Sequence, residues 1–353
     1  MKKKLSALLA GIMLFSLMAG CGTTNAGNQS SVGQSSQGNT SGTGEEWTWD
    51  RKITLVCPWG VGGGADGTLR PLTSALKEVL GVEVEVVNVE GAGGATGMEY
   101  ALKQPADGYT YVLGTQSHIM LDLQKILSFD LREEMQPVAK LVHSINIIAS
   151  SAKAMEGKYS NFTEFCDYAK AHPKELSCSM LTATGSDSVA LKQTLAGGLG
   201  CDITEVEDYV NIVSYGGGAE QSSAIAGGHV HIMITGADEI KGLIESGDIV
   251  PLISMSEERM SLYPDVECTG ELGIDSYVGT WRGLMCRVGT PQAAIDSFTA
   301  ALEEAWNSDS YQEFLANACY LDRPGWATAD EFQTLIDEEY VTFEEYLTGA
   351  GLI

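Results

Sequence analysis

The chain has 353 residues and a formal net charge of −26. A chain this acidic has no basic face with which to neutralise phosphates, so its charge argues against nucleic-acid binding. Its length is sufficient for two α/β domains that share a cleft.

The N-terminal residues are typical of a bacterial export signal. Residues 2–4 are lysines, and an apolar run follows over 5–19. That run, of about 15 residues, is shorter than the roughly 20 that a membrane-spanning helix needs. It ends in Leu-Met-Ala-Gly-Cys21, which resembles a lipoprotein cleavage box. We predict a signal peptide over 1–20, a lipidated Cys21 and a flexible Gly/Ser/Thr-rich tether over 21–49, which together place the protein outside the cytoplasm on a lipid anchor.

A glycine-rich turn, Cys57–Asp66, separates a predicted strand at 53–56 from a predicted helix that begins near Leu69. Such a turn exposes bare backbone N–H groups at the positive end of a helix dipole, where an anion can bind. Asp66 has two interpretations: a carboxylate that stabilises the first helical turn, or a ligand contact. Trp59 is either a pocket wall or a cover over the core.

The pattern of strand, glycine-rich turn and helix recurs along the chain. Alternating strands and helices predict mainly parallel sheets with right-handed crossovers. The turns then lie at the carboxyl ends of the strands, where ligands bind in open α/β sheets. Thr115, Gln116 and Asp238 belong to turns of this kind. The predicted strands are 82–88, 109–113, 177–181, 210–214 and 231–235.

Two crossings between lobes are predicted, as a clam-like binder requires. The segment 138–146 is the predicted outward hinge strand, and 249–254 is the predicted return hinge. Lobe 1 would comprise 50–144 and 256–353, and lobe 2 would comprise 145–255. Within lobe 2, the spacing predicts a helix over Phe162–Ala171, capped by Asn161 and Glu164. Predicted C-terminal helices at 292–307 and 329–347 pack on lobe 1.

Catalytic, cofactor and metal sites are poorly supported. Gly60–Ala65 fits G-x-G-x-x-A, but this weak dinucleotide motif is out of place in an exported chain. Ser186 lies outside any G-x-S-x-G elbow, and the histidines are scattered. The seven cysteines after Cys21 form no CxxC pair, so buried free thiols are favoured over one disulfide. We expect no catalytic residue, no cofactor and no metal.

Ordered short motifs from about Ile53 to Gly351 resemble the extracytoplasmic solute receptors of tripartite tricarboxylate transporters, the Bug family. They include Pro58-Trp59 with Gly63-Gly64-Ala65-Asp66, Asp107-Gly108-Tyr109-Thr110, Trp281 with Gly283, and Gly289-Thr290-Pro291. The resemblance implies an α/β, two-lobed, type II periplasmic-binding-protein fold with a ligand cleft between the lobes. The ligand-binding candidates that follow are Trp59, Gly63, Gly64, Ala65, Asp66, Thr184, Gly185, Ser186, Tyr215 and Gly216, beside Thr115, Gln116 and Asp238 from the turns above.

The same resemblance implies that a small carboxylated solute is captured and delivered to the membrane subunits of a transporter, without catalysis. The protein would act as a monomer. Departures from the family pattern occur at Ser214, Gly216 and His231, so the ligand chemistry can differ from that of other members. Two alternatives stay open: an exported hydrolase-like enzyme, and a surface lipoprotein with a sensory or adhesive role.

Overall fold

A computed structural model describes residues 47–181, 185–215, 218–349 and 351–353. The described strands form two mixed sheets, one of five strands and one of six. The predicted α/β class is therefore confirmed, although the sheets are mixed rather than mainly parallel. The strands are β1 Ile53–Cys57, β2 Val84–Asn88, β3 Thr110–Gly114, β4 Met135–His143, β5 Asn146–Ser151, β6 Ser177–Met180, β7 Asn211–Ser214, β8 Ile232–Gly236, β9 Ile249–Ser254, β10 Glu267–Cys268 and β11 Trp281–Arg287.

The helices cover both sheets and are mostly short. They are α1 Gly64–Leu80, α2 Ala95–Leu102, α3 Gln116–Leu123, α4 Leu131–Glu134, α5 Ala152–Met155, α6 Phe162–Ala171, α7 Ser186–Leu199, α8 Val206–Tyr209, α9 Gly218–Gly227, α10 Lys241–Glu245, α11 Gln292–Trp306, α12 Asp309–Asn317 and α13 Ala329–Gly349. Short 3₁₀ turns occur at Ala92–Gly94, Ile203–Glu205 and Ala237–Glu239. Within the described part of the chain, none of these helices has both the length and the apolar character to cross a membrane.

The first sheet has the strand order β2-β1-β3-β11-β4. β1 pairs in parallel with β2 and β3, whereas β11 is antiparallel to both β3 and β4. The predicted C-terminal helices pack here, because Phe298 of α11 stacks on Tyr111 with ring centroids 3.7 Å apart. On α1, the buried residues Leu69, Leu72 and Leu76 recur at helical spacing and face the same core.

The second sheet has the strand order β10-β9-β5-β8-β6-β7. Its parallel pairs are β6–β7, β6–β8 and β9–β10, and β5 is antiparallel to β8 and β9. The predicted helix α6 is confirmed with its bounds, and the Asn161 side chain accepts a hydrogen bond from the Glu164 N–H at 2.9 Å. Glu164 caps differently from expectation, since its carboxylate accepts from Ser160.

The return between the sheets lies later in the chain than the sequence predicts. The outward crossing falls between β4 and β5, close to the predicted hinge. The predicted return hinge at 249–254 instead forms β9 inside the second sheet, because its backbone pairs along β5. β10 then extends that sheet, and the chain rejoins the first sheet only at β11. The two crossing segments bond to each other: the Ser144 N–H donates to Thr280 O at 2.9 Å.

The seven cysteines after Cys21 are all free thiols, as favoured by the sequence. Six are buried, and Cys201 is partly exposed. Burial raises the pKa of the Cys57 thiol to about 11, so it stays protonated and unreactive near neutral pH.

Candidate functional site

Asp66 braces the first glycine turn. Its buried carboxylate accepts hydrogen bonds from the Gly62 N–H at 3.0 Å, Arg70 Nε at 2.7 Å and Asn88 Nδ2 at 2.9 Å. Burial alone would raise the pKa of Asp66, but the bonds from Arg70, Gly62 and Asn88 outweigh it and lower that pKa. The geometry therefore gives Asp66 a structural function in the turn, and direct ligand contact stays a prediction.

Trp59 is fixed from two sides. Its carbonyl accepts a hydrogen bond from Asn88 Nδ2 at 2.9 Å, and its ring lies 5.1 Å from the His118 ring, centroid to centroid. The ring is half-buried and packs against the core of the first sheet. Burial lowers the pKa of His118 to about 4, so this imidazole is neutral at physiological pH.

The start of α3 holds Thr115 and Gln116. Thr115 Oγ1 caps the helix by accepting from the Ser117 N–H at 3.2 Å, and His118 Nδ1 accepts from the Thr115 N–H. Gln116 is buried, and its Nε2 donates to Gly279 O at 3.0 Å beside the return crossing. Its Oε1 is buried, and none of the described residues bonds to it.

The N-terminus of α1 faces two charged side chains. Gly63 precedes the helix without any side-chain cap, and Ala65 is buried. A Cβ added to Gly64 would lie 2.5 Å from Glu239 Oε1 and would also collide with the Arg282 guanidinium. Glycine at this position thus permits close approach of Arg282 and Glu239 to the backbone.

Arg282, which is buried on β11, is the centre of a group of bonded side chains that we call the Arg282 network: Arg282, Asp238, Glu239 and Tyr320. Arg282 Nη1 donates to Asp238 Oδ2 at 3.2 Å and to the Tyr320 hydroxyl at 2.6 Å. Its Nη2 donates to Glu239 Oε1 at 2.8 Å, and the Tyr320 hydroxyl donates to Asp238 Oδ2 at 2.7 Å. Since Asp238 and Glu239 follow β8, the network joins the first sheet to the second.

The Arg282 network contains two carboxylates, Asp238 and Glu239, and one guanidinium. Burial and the neighbouring Asp238 raise the pKa of Glu239, although Arg282 acts in the opposite direction. Asp187 lies in the first turn of α7. Burial and the negative charge of Glu239 raise its pKa to about 6, although the charge of Arg282 acts in the opposite direction. For Arg282, burial alone would lower the pKa, yet its acidic and tyrosyl neighbours raise it.

The second-lobe candidates are only partly described. Gly185 precedes α7, and Ser186 is buried in its first turn. Tyr215 is half-buried, packs on the second-sheet core and donates its N–H to Met180 O at 3.0 Å. Thr184, Gly216, Cys21, the signal peptide over 1–20 and the tether as far as residue 46 lie outside the described residues.

The sequence analysis did not name four residues that lie in or near the Arg282 network of the candidate site: Arg282, Tyr320, Glu239 and Asp187. The structure brings them to Gly64 and Asp238, two of the predicted candidates. A signal existed for Arg282, which lies between Trp281 and Gly283 of the family motif, and for Asp187, which follows Ser186. Among the described residues, no cluster of His, Cys, Asp and Glu is suited to hold a metal ion.

Two mixed sheets joined by paired crossing segments, with helix N-termini and a charged network between them, are the two-lobed fold of the periplasmic-binding-protein type. Solved structures share this fold. BugD aligns with a TM-score of 0.73 and 21% identity over 86% of this chain and 98% of BugD. An R. palustris protein solved with adipate aligns with a TM-score of 0.75 and 24% identity over 85% of this chain and 97% of that protein.

The family model for the tripartite tricarboxylate transporter family receptor matches residues 68–343. BugT of Bordetella pertussis is 28% identical over 293 residues, which cover 82% of this chain and 86% of BugT. Because the family match extends over most of the chain, the protein belongs to the tripartite tricarboxylate transporter receptor family. The predicted family and fold are confirmed.

Proposed function

We propose that the protein captures a small carboxylated solute between its two sheets and delivers it to the membrane subunits of a tripartite tricarboxylate-type transporter. One observation carries the proposal: the N-terminus of α1, which has no side chains at Gly63 and Gly64, faces Glu239, a residue that follows β8 of the other sheet. Backbone N–H groups at a helix N-terminus bind carboxylates well. Two structural neighbours were solved with malate and with adipate, both carboxylates, which supports the same ligand class.

The function is binding rather than catalysis. A receptor of this class releases its ligand unchanged, so a bound solute is expected to be recovered intact after incubation with the protein. Turnover of that solute would favour the alternative of an exported hydrolase-like enzyme.

A single added methyl group tests the site. We expect ligand-dependent thermal stabilisation by at least one compound in a panel of carboxylates. In Gly64→Ala the shift is lost, because the new Cβ collides with Arg282 and Glu239. Gly67→Ala is the matched control on the same helix, where a Cβ meets nothing within 4 Å.

Two results would contradict the proposal. One is stabilisation by neutral sugars or amines while no carboxylate has an effect. The other is an unchanged carboxylate affinity in Gly64→Ala, which would remove the start of α1 from the site. Gly67→Ala must keep its ligand binding for the result of Gly64→Ala to be interpreted. Retained binding shows that an alanine in this helix does not by itself disturb the turn.

The export and anchoring of the protein are part of the same proposal. We propose that Cys21 is lipidated after removal of residues 1–20, and that residues 21–49 tether a monomeric body to the outer side of the cytoplasmic membrane. Fatty-acid labelling of the protein in its host, abolished by Cys21→Ser, tests this. Labelling that persists in the variant would contradict it.

A further inference from the structure

A group of polar side chains lies at the end of the second sheet that is far from the candidate site. Ser177 begins β6, His231 directly precedes β8, and Lys158 follows α5, and all three residues are half-buried. Asp238 follows the opposite end of β8, and the five residues of that strand separate the two ends by about 15 Å. His231, a departure from the family pattern, therefore lies outside the candidate site between the sheets.

The hydrogen bonds of His231 determine which ring nitrogen carries the proton. Its Nδ1 lies 3.2 Å from the backbone nitrogen of Ser177 and 3.1 Å from Ser177 Oγ. A backbone N–H can only donate, so Nδ1 accepts and the proton of the neutral ring is on Nε2. Burial and the charge of Lys158 lower the pKa of His231, although Glu175 acts in the opposite direction, so the ring is neutral at physiological pH.

Two hydrogen-bond donors face each other at this end of the sheet. His231 Nε2 lies 3.3 Å from Lys158 Nζ, and because the ring N–H and the ammonium both donate, neither satisfies the other. Nζ donates to the Ala154 carbonyl at 3.0 Å, which uses one of its three N–H groups. Among the described residues no carboxylate pairs with Lys158, although the chain has 47 acidic residues. Glu175 instead accepts from the Tyr168 hydroxyl at 2.7 Å.

We propose that Lys158 and His231 bind a phosphate group, either free or part of a lipid headgroup, whose oxygens accept from both donors. The site supplies one positive charge and one neutral N–H group. An ammonium acts as a point charge and is a common phosphate ligand, whereas the planar fork of arginine matches a carboxylate better. The inference goes beyond the proposed function and does not depend on it, since the two sites lie at opposite ends of β8.

Selective ¹⁵N-histidine labelling of the full-length protein tests the tautomer and the site together. Long-range ¹H–¹⁵N spectra should show that His231 is protonated at Nε2. On titration with inorganic phosphate at constant ionic strength, the Nε2 resonance should shift to saturation with a dissociation constant on the order of 1 mM. Acetate should bind about 10-fold more weakly, because its carboxylate suits the donors less well. An unchanged His231 resonance, or equal binding of acetate, would overturn the proposal.

Two variants remove the site in different ways. His231→Asp places a carboxylate beside the Lys158 ammonium, which then has a partner within the chain, and phosphate binding is expected to fall below detection. Lys158→Gln removes the charge, and binding is expected to weaken about 10-fold. The control Lys153→Gln removes the same charge on α5, where the exposed side chain donates to Ala226 O, and should bind as wild type does. The backbone amide of Ser177 reports binding in all four proteins, and circular dichroism establishes that each is folded.

Dimethyl phosphate, a phosphodiester, distinguishes the two sources of the phosphate group. Binding as tight as that of inorganic phosphate supports a lipid headgroup, and binding of inorganic phosphate alone supports a free phosphate. Retained affinity in His231→Asp or in Lys158→Gln would overturn the assignment to these residues, whatever a panel of carboxylates shows for the proposed function. An equal loss in Lys153→Gln would also overturn it, because local positive charge rather than the facing donors would then attract the phosphate.

Discussion

Several ionisable side chains of this protein are buried where hydrogen bonds from their neighbours only partly offset the cost of burying their charge. Glu339 of α13 is an example outside the candidate site. Trp281 Nε1 donates to its Oε2 at 2.6 Å, but burial dominates and raises the pKa of Glu339 to about 7, from 4.5. Between those two values the folded state binds more protons than the unfolded state, so the free energy of unfolding falls as the pH rises.

Glu339→Gln should weaken that pH dependence. The amide can still accept from Trp281, and it has no proton to lose. The free energy of unfolding of the variant minus that of wild type is expected to increase by about 1–2 kcal/mol from pH 5 to pH 8. Urea-induced unfolding measures both values. Glu338→Gln, an exposed neighbour on the same helix, controls for the loss of one negative charge from an acidic chain. Equal slopes in the two variants would show that Glu339 does not titrate as described.

Among the elements, those fixed by local signals are the ones that the sequence predicts well. Asn161 caps α6, and apolar residues at helical spacing follow it, so both ends of the helix could be located. The return crossing could not be located from the sequence, because the apolar run at 249–254 suits a hinge strand and a sheet strand equally. Its pairing with β5 depends on residues about a hundred positions away, for which the local sequence has no signal.

The site was predicted to a similar extent and for the same reason. Glycine turns at helix N-termini are local features, and they led to Gly64 and the turn that holds Asp238, both of which lie against Arg282 in the candidate site. Arg282 lies 43 residues from Glu239 and 38 from Tyr320, and nothing in its own segment indicates either partner. Charge networks between distant elements are properties of the folded chain, and composition alone does not reveal them.

The connection between α12 and α13 fastens the crossing segments through Arg323. Its Nη2 donates to Met255 O and to Tyr277 O, each at 2.7 Å, and its Nη1 donates to Ser144 O at 3.4 Å. Burial lowers the pKa of Arg323 to about 10, although the charge of Glu257 acts in the opposite direction. Gly279 lies against the same Ser144 carbonyl, where no Cβ could fit.

Arg323→Lys is expected to destabilise the protein by about 2–3 kcal/mol, because one ammonium cannot serve three carbonyls in a fixed fork. Urea-induced unfolding at neutral pH measures the loss. In the control Arg259→Lys, the exposed pair with Glu271 changes and the expected cost is below about 1 kcal/mol. A similar small cost for both variants would show that Arg323 does not hold the crossing segments.

At the scale of the whole molecule, the Arg282 network is a charged connection between the two sheets. Arg282 itself is 3% exposed and belongs to the first sheet, and its carboxylate partners follow a strand of the second. A buried ion pair of this kind adds little net stability over apolar packing, but the loss of one partner is severe because a charge is left unpaired. The stability of the connection between the sheets should therefore depend on the charge of Glu239 once the arginine is gone.

Arg282→Met tests this dependence. At pH 8 we expect a loss of about 3–5 kcal/mol in the free energy of unfolding, since Asp238 and Glu239 then lack their cationic partner. At pH 5 the loss should be smaller, because the folded state can protonate Glu239, whose raised pKa the substitution raises further. Adding Glu239→Gln should recover part of the loss at pH 8 by removing one of the orphaned charges. Arg287→Met, at the other end of β11, controls for the loss of an arginine from that strand. An equal loss at both pH values, with no recovery in the double variant, would mean that Arg282 joins the sheets by packing and not by charge.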